Sequence, residues 1–236
     1  IMPKVISCSR RTDVPAFYST WLIERLRAGY CHVINPFGGQ VYRVALKPED
    51  CIAIVFWTRN PGPLLASLEE LDAGGYRYYF HYTILGYPSP IESHNPSIET
   101  SVRLFKWLAN RLSPMFVRWR YDPIILSSVT PWDYHLEQFS NIARMLEGAT
   151  YHCTFSFVDL YGKTTRNLDR LTRQTGIRFH NPSLGEQRKL VHELVAIADS
   201  YGMTLNSCCS DALAVGGVQR GRCIDPKLVQ KLAPDL

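Results

Sequence analysis

No run among the 236 residues approaches the roughly 18 consecutive apolar side chains of a membrane-spanning helix, and no secretory hydrophobic core precedes the first strand-like segment. A cytoplasmic protein without a membrane partner is the expectation. No glycine-rich G-x-G-x-x-G turn opens a helix, which argues against an NAD-type Rossmann site, and no P-loop is present. Lysine-rich runs and basic low-complexity arms are missing too, so the net charge of +5 favours a small anionic ligand over nucleic acid. Internal repeats and an interdomain linker are also absent. The chain reads as a single domain over residues 1–236.

A hydrophobic fraction of 46% supplies a full core, and 20% charged residues is ordinary for a soluble protein. Seven cysteines are an odd number and do not suggest a disulfide framework in a chain of this kind. Metal binding and plain burial are the alternatives. Cys8, Cys31, Cys51 and Cys153 sit inside strand-like runs and read as core. Cys208, Cys209 and Cys223 lie at and beyond the last strand end, where three thiols are candidate ligands for zinc or an iron–sulfur cluster. Their spacing matches no zinc-ribbon pattern.

Six short β-like runs end in charged, amide or aromatic clusters: Val5–Asp13, Ile52–Asn60, Tyr78–Gly86, Phe116–Pro123, Thr154–Tyr161 and Met203–Asp211. Helical patterns separate most of them, at 14–28, 63–73, 97–112, 131–147, 164–174 and 184–201, with a last one from Asp225-Pro226. Asp13 is placed to cap the first helix, with Pro15 in its first turn and Gly29 at its end. Residues 31–46 alternate around Gly38-Gly39 and predict an inserted β-hairpin. Alternating β and α elements argue for an α/β fold with a parallel sheet. The count of six points to a partial or modified (β/α) barrel, TIM-barrel-like, whose strand ends meet in one pocket.

Strand side chains alternate between faces, so Arg118, Arg120 and Asp122 share one face, while Val117, Trp119 and Tyr121 share the other. The same parity groups Thr154 with Ser156, Asn206 with Cys208, and His81 with Thr83. A polar inner face is costly unless its groups pair with each other or with a ligand. Arg10, Arg11, Arg59, Arg118 and Arg120 are therefore candidates for binding a carboxylate or phosphate, and Asp13 is a further candidate for substrate or cofactor binding. The alternative is a structural network in which Asp13, Asp122 and Asp159 neutralise the arginines. Asp122 and Asp159 are also candidate acids, bases or metal ligands, or else salt-bridge partners, and His81 is the histidine best placed to act.

Five segments carry a resemblance: Ser9 to Tyr18 (SRRTDVPAFY), Asn35-Pro36-Phe37, Phe56 to Pro61 (FWTRNP), Trp119 to Ile124 (WRYDPI) and Cys223-Ile224-Asp225. From about Val5 to Leu232 the chain resembles an uncharacterised bacterial family, the domain of unknown function 1848. That family's C-terminus carries a cysteine cluster similar to the one that opens radical S-adenosylmethionine enzymes. The resemblance implies a six-unit partial barrel and a [4Fe-4S] cluster on three thiolates. It implies S-adenosylmethionine on the fourth iron and a 5′-deoxyadenosyl radical that abstracts hydrogen from a substrate. On this reading the strand-end arginines and Asn60 would meet the cofactor's carboxylate or a substrate anion. No C-x3-C-x2-C run occurs among the 236 residues, so Cys208, Cys209 and Cys223 do not map onto that triad. Two other readings stay open. One is a zinc-dependent hydrolase or lyase with Asp122 or Asp159 as general base; the other is a nucleic-acid or phosphate-binding module without catalysis.

Overall fold

The computed structural model describes residues 3–8, 11–208 and 210–234. These form two compact units, one of Ile1–Tyr82 with Ile224–Leu236 and one of Thr83–Cys223.

In the first unit, β1 (Lys4–Cys8) leads to the short helix α1 (Val14–Phe17) and then to α2 (Ser19–Ala28). Asp13 caps α1 as expected, its Oδ1 accepting from the Ala16 backbone at 3.0 Å, and Pro15 occupies the first turn, where no intrahelical donor is needed. Gly29, at φ +74°, ends α2 in the left-handed conformation that glycine adopts at least cost. The predicted hairpin follows as β2 (Tyr30–Ile34) and β3 (Val41–Ala45), antiparallel from Tyr30↔Ala45 to Ile34↔Val41. Next comes β4 (Cys51–Thr58), parallel to β1. Its residues Ala53 to Phe56 are all buried, which is the near-continuous apolar run of a strand covered on both faces. The helix expected over 63–73 is broken into α3 (Gly62–Leu65) and α4 (Leu68–Ala73). The chain tightens there to i→i−3 bonds, Leu64 to Pro61 and Ser67 to Leu64. The strand β5 (Tyr78–Thr83) then pairs in parallel with β4.

The second unit contains α5 (Ile98–Leu112), β6 (Val117–Ile124), β7 (Leu126–Ser127), α6 (Trp132–Leu146), β8 (His152–Phe157) and α7 (Gly162–Thr175). It continues with β9 (Phe179–His180), α8 (Leu184–Ser200), β10 (Thr204–Cys208) and β11 (Gln219–Gly221). The parallel order is β6-β8-β10-β11, while β7 and β9 pair antiparallel as a separate ribbon. Ser97 caps α5, and Ser183 with Glu186 forms a reciprocal capping box at α8. Thr130, just ahead of α6, turns its hydroxyl to the Ile125 carbonyl. In β11, Gly221 has no substitute, because a Cβ there would strike the Ser207 carbonyl oxygen. The chain closes in the first unit with α9 (Pro226–Leu232), capped by Asp225.

The six-unit barrel expectation is corrected. Among the described residues each unit holds an open parallel run, β1-β4-β5 in the first and β6-β8-β10-β11 in the second, and neither closes on itself. Alternating β and α elements in a sequence read alike for open and closed parallel sheets, so the count of units could not decide between them.

Sidedness follows the parity expectation. Register aligns Trp119 with Cys153 and Leu205, Arg120 with Thr154 and Asn206, and Tyr121 with Phe155 and Ser207. The odd-numbered face of β6 packs on α6: Trp119 stacks on Phe139 at 4.7 Å, and Tyr121 meets the same ring edge-on at 5.1 Å. Beneath them His135 is fully buried, its Nε2 3.0 Å from the Ile125 carbonyl and its Nδ1 3.0 Å from the Tyr121 hydroxyl. A carbonyl only accepts, so Nε2 carries the proton and Nδ1 receives the tyrosine's.

Candidate functional site

The even-numbered face of the second unit's sheet carries Arg120, Thr154 and Asn206 in one row, with Asp122, Ser156 and Cys208 one step further along β6, β8 and β10. Such a row on a sheet interior is ordinarily branched and apolar. Here Arg120 is 6% exposed, Thr154 7% and Asn206 9%. Asp122 sits where the β6–β8 register slips between Tyr121 and Ile124, an irregularity that re-aims a side chain. Arg120 donates from Nε and Nη2 to the same carboxylate oxygen, at 3.1 and 2.6 Å, and from Nη2 to the Cys208 sulfur at 3.2 Å. The Ser156 hydroxyl donates to the other Asp122 oxygen. Burial works against the Arg120 charge, but Asp122 and Cys208 more than offset it and hold its pKa above the usual arginine value.

One member of the row stands apart. The Asn206 Oδ1 is buried and makes no hydrogen bond among the described residues. A buried acceptor left unmade costs about 1–3 kcal/mol, so the fold carries this amide at a loss. The Ser207 hydroxyl is buried in the same condition, but it lies in the row of Tyr121 and Phe155, on the helix-packed face.

In the first unit the strand ends form a different arrangement. Asp13 does more than cap α1: its Oδ2 accepts from the Thr58 hydroxyl at 3.0 Å and from the Arg59 backbone at 2.7 Å. It thereby joins the end of β4 to the start of α1. Asn60 accepts from the Gly62 backbone at 3.1 Å, in the turn that leads into α3. Arg59 is half-buried, and the exposed Arg11 donates to the Ile34 carbonyl of the hairpin. His81 is 1% exposed and stacks on Trp57, with ring centroids 4.2 Å apart, while the Trp57 indole donates to Ser7. We expect Asp13→Ala to destabilise the protein by about 1–2 kcal/mol, as loss of a helix cap does. Urea denaturation measures it, and a change below about 0.5 kcal/mol would show that the three bonds to Asp13 are replaced by water.

Of the residues singled out from sequence, Arg120, Asp122 and Cys208 come into direct contact, and half-buried Arg118 lies two residues earlier on the same face of β6. Asp159 is exposed, beyond the end of β8. Arg10 and Cys209 lie outside the described residues. Cys223 is exposed, whereas Cys8, Cys31, Cys51 and Cys153 are buried as expected. Among the described residues no group of three or more His, Cys, Asp or Glu side chains is arranged to hold a metal ion. Parity groups Thr154 with Ser156 and Asn206 with Cys208 on inward faces, and the register sets them beside Arg120. The role of Thr58 as an Asp13 partner had no signal in the sequence.

A family model described as "Domain of unknown function (DUF1848)" matches residues 5–235. No curated protein matches the chain. Among solved structures the chain is similar to a crystal structure from Bacteroides thetaiotaomicron VPI-5482 described as a "putative alpha-L-fucosidase". The identity is 8%, the match covers 99% of this chain and 83% of that one, and the TM-score is 0.31.

Proposed function

The chain belongs to the DUF1848 family, and we propose that its second unit is the substrate site of an enzyme acting on a small ligand that carries both an anionic group and a hydroxyl or amine. The observation that carries this reading is the Asn206 amide, buried in a polar row with its oxygen unpartnered. Folding alone gives no reason to keep it, and a ligand's O–H or N–H would complete it. Arg120, with Arg118 on the same face, supplies positive charge for the ligand's carboxylate or phosphate. Asp122, held from both sides by Arg120 and Ser156, is the positioned carboxylate available for proton transfer. Ligands of open α/β sheets sit at the carboxyl ends of parallel strands, which is where Asp122, Ser156 and Cys208 lie on β6, β8 and β10.

The test uses Asn206→Leu, which replaces a costly buried acceptor with a side chain of similar volume. Stability should rise or stay level, while ligand binding is lost. Thermal unfolding with millimolar glycerol phosphate, lactate, serine and inorganic phosphate reads both. We expect at least one of the first three to raise the parent's midpoint, with no such shift in the variant. Equal shifts in parent and variant, or a variant destabilised by several kcal/mol, would remove Asn206 from any site.

A further inference from the structure

The helix α7 is 14 residues long and buries none of them. Most helices in globular proteins owe their stability to a packed face, so a helix this exposed suits a partner. Its sequence, GKTTRNLDRLTRQT, contains Lys163, Arg166, Arg170 and Arg173 against a single acidic residue, Asp169. All four cations are exposed, and among the described residues none of them forms an ion pair. At 100° per residue they fall within about 80° of the helix circumference and span about 15 Å of its length. Asn167 and Gln174 flank the same stripe. The opposite flank is occupied otherwise: Thr165, Leu168, Asp169 and Thr172 line a cavity of about 300 Å³ with Ile125, Phe179 and their neighbours. The basic stripe therefore looks outward.

We infer that this outer face of α7 binds nucleic acid, gripping the phosphate backbone through Lys163, Arg166, Arg170 and Arg173. Charge complementarity requires a polyanion, and two features favour nucleic acid over an anionic membrane. A helix that lies on a lipid surface presents a broad apolar face with aromatic anchors, whereas α7 has only Leu168 and Leu171, and Leu168 faces the cavity. The amides beside the stripe also suit base edges and phosphates better than lipid headgroups. This inference is independent of the Asn206 site. It rests on a different element and needs no small ligand.

The experiment is fluorescence anisotropy of labelled 20-nucleotide single-stranded and duplex oligonucleotides with the full chain, titrated from 50 to 300 mM NaCl. With four phosphate contacts the slope of log K against log salt should be about −3 to −4. Each single change, such as Arg170→Gln, should flatten the slope by about 1. The quadruple Lys/Arg→Gln variant keeps helix propensity and should lose at least tenfold in affinity, with circular dichroism and thermal unfolding unchanged. Three outcomes would overturn the proposal: no oligonucleotide binding by the parent at 50 mM NaCl, an unchanged slope in the quadruple variant, or capture of the parent by phosphatidylserine vesicles but not by oligonucleotides.

Discussion

Replacing Arg120 with alanine should destabilise the protein by about 2–4 kcal/mol, because it leaves the Asp122 carboxylate half-buried without its cation. The figure lies below that of a fully enclosed pair, since the Asp122 side chain keeps 21% of its surface and water recovers part of the loss. The same change removes the guanidinium proposed to meet the ligand's anion, so stability and binding should fall together. A double-mutant cycle separates the two effects. Asp122→Asn alone leaves Arg120 buried with a weaker partner, and the combined Arg120→Ala/Asp122→Asn protein should be less damaged than the single changes add up to, by at least about 1 kcal/mol. Strict additivity in urea unfolding would mean that the 2.6 Å contact contributes nothing.

A second large effect is expected with pH. Burial pushes His135 down to about 4, against an ordinary value near 6.5, with its bond to the Ile125 carbonyl pulling weakly the other way. The unfolded chain therefore takes up a proton that the folded one refuses. Stability from this group is complete above pH 6.5 and drains away as the pH falls towards 4, a total of about 3 kcal/mol at 1.36 kcal/mol per pH unit. His135→Gln does not titrate and isolates the contribution from that of the other histidines. Between pH 7 and 4 the parent should lose about 3 kcal/mol more than the variant. Parallel stability curves would place the proton on His135 in the folded protein.

Much of this molecule is legible from residue order alone. The helix start at Asp13 is announced by capping chemistry, the one at Asp225-Pro226 by its proline, and the hairpin by its alternating pattern and paired glycines. Parity named the polar row of β6, β8 and β10, because alternation along a strand is fixed by backbone geometry. What could not be read is what tertiary contact decides. Asp13 and Asn60 resemble ligand-binding residues in a motif, yet both spend their oxygens on backbone amides and a neighbouring hydroxyl. Sheet closure was equally out of reach, since it depends on stagger between distant strands. The basic stripe of α7 is hidden in the sequence for another reason. Its four cations are spaced by three and four residues, so they form a patch only once wound into a helix.

The buried cysteines have a practical consequence. Burial raises the Cys8 thiol to about 12 and Cys51 to about 11, and pushes Cys153 well above the ordinary thiol value. At neutral pH such groups are thiolate in roughly one molecule in ten thousand or fewer, and only the thiolate alkylates. Among the described cysteines, iodoacetamide added to the folded protein should therefore mark Cys208 and Cys223, and the interior thiols should react only as the chain opens. Mass increments counted over time would then serve as an internal clock for native-state unfolding, with no engineered reporter.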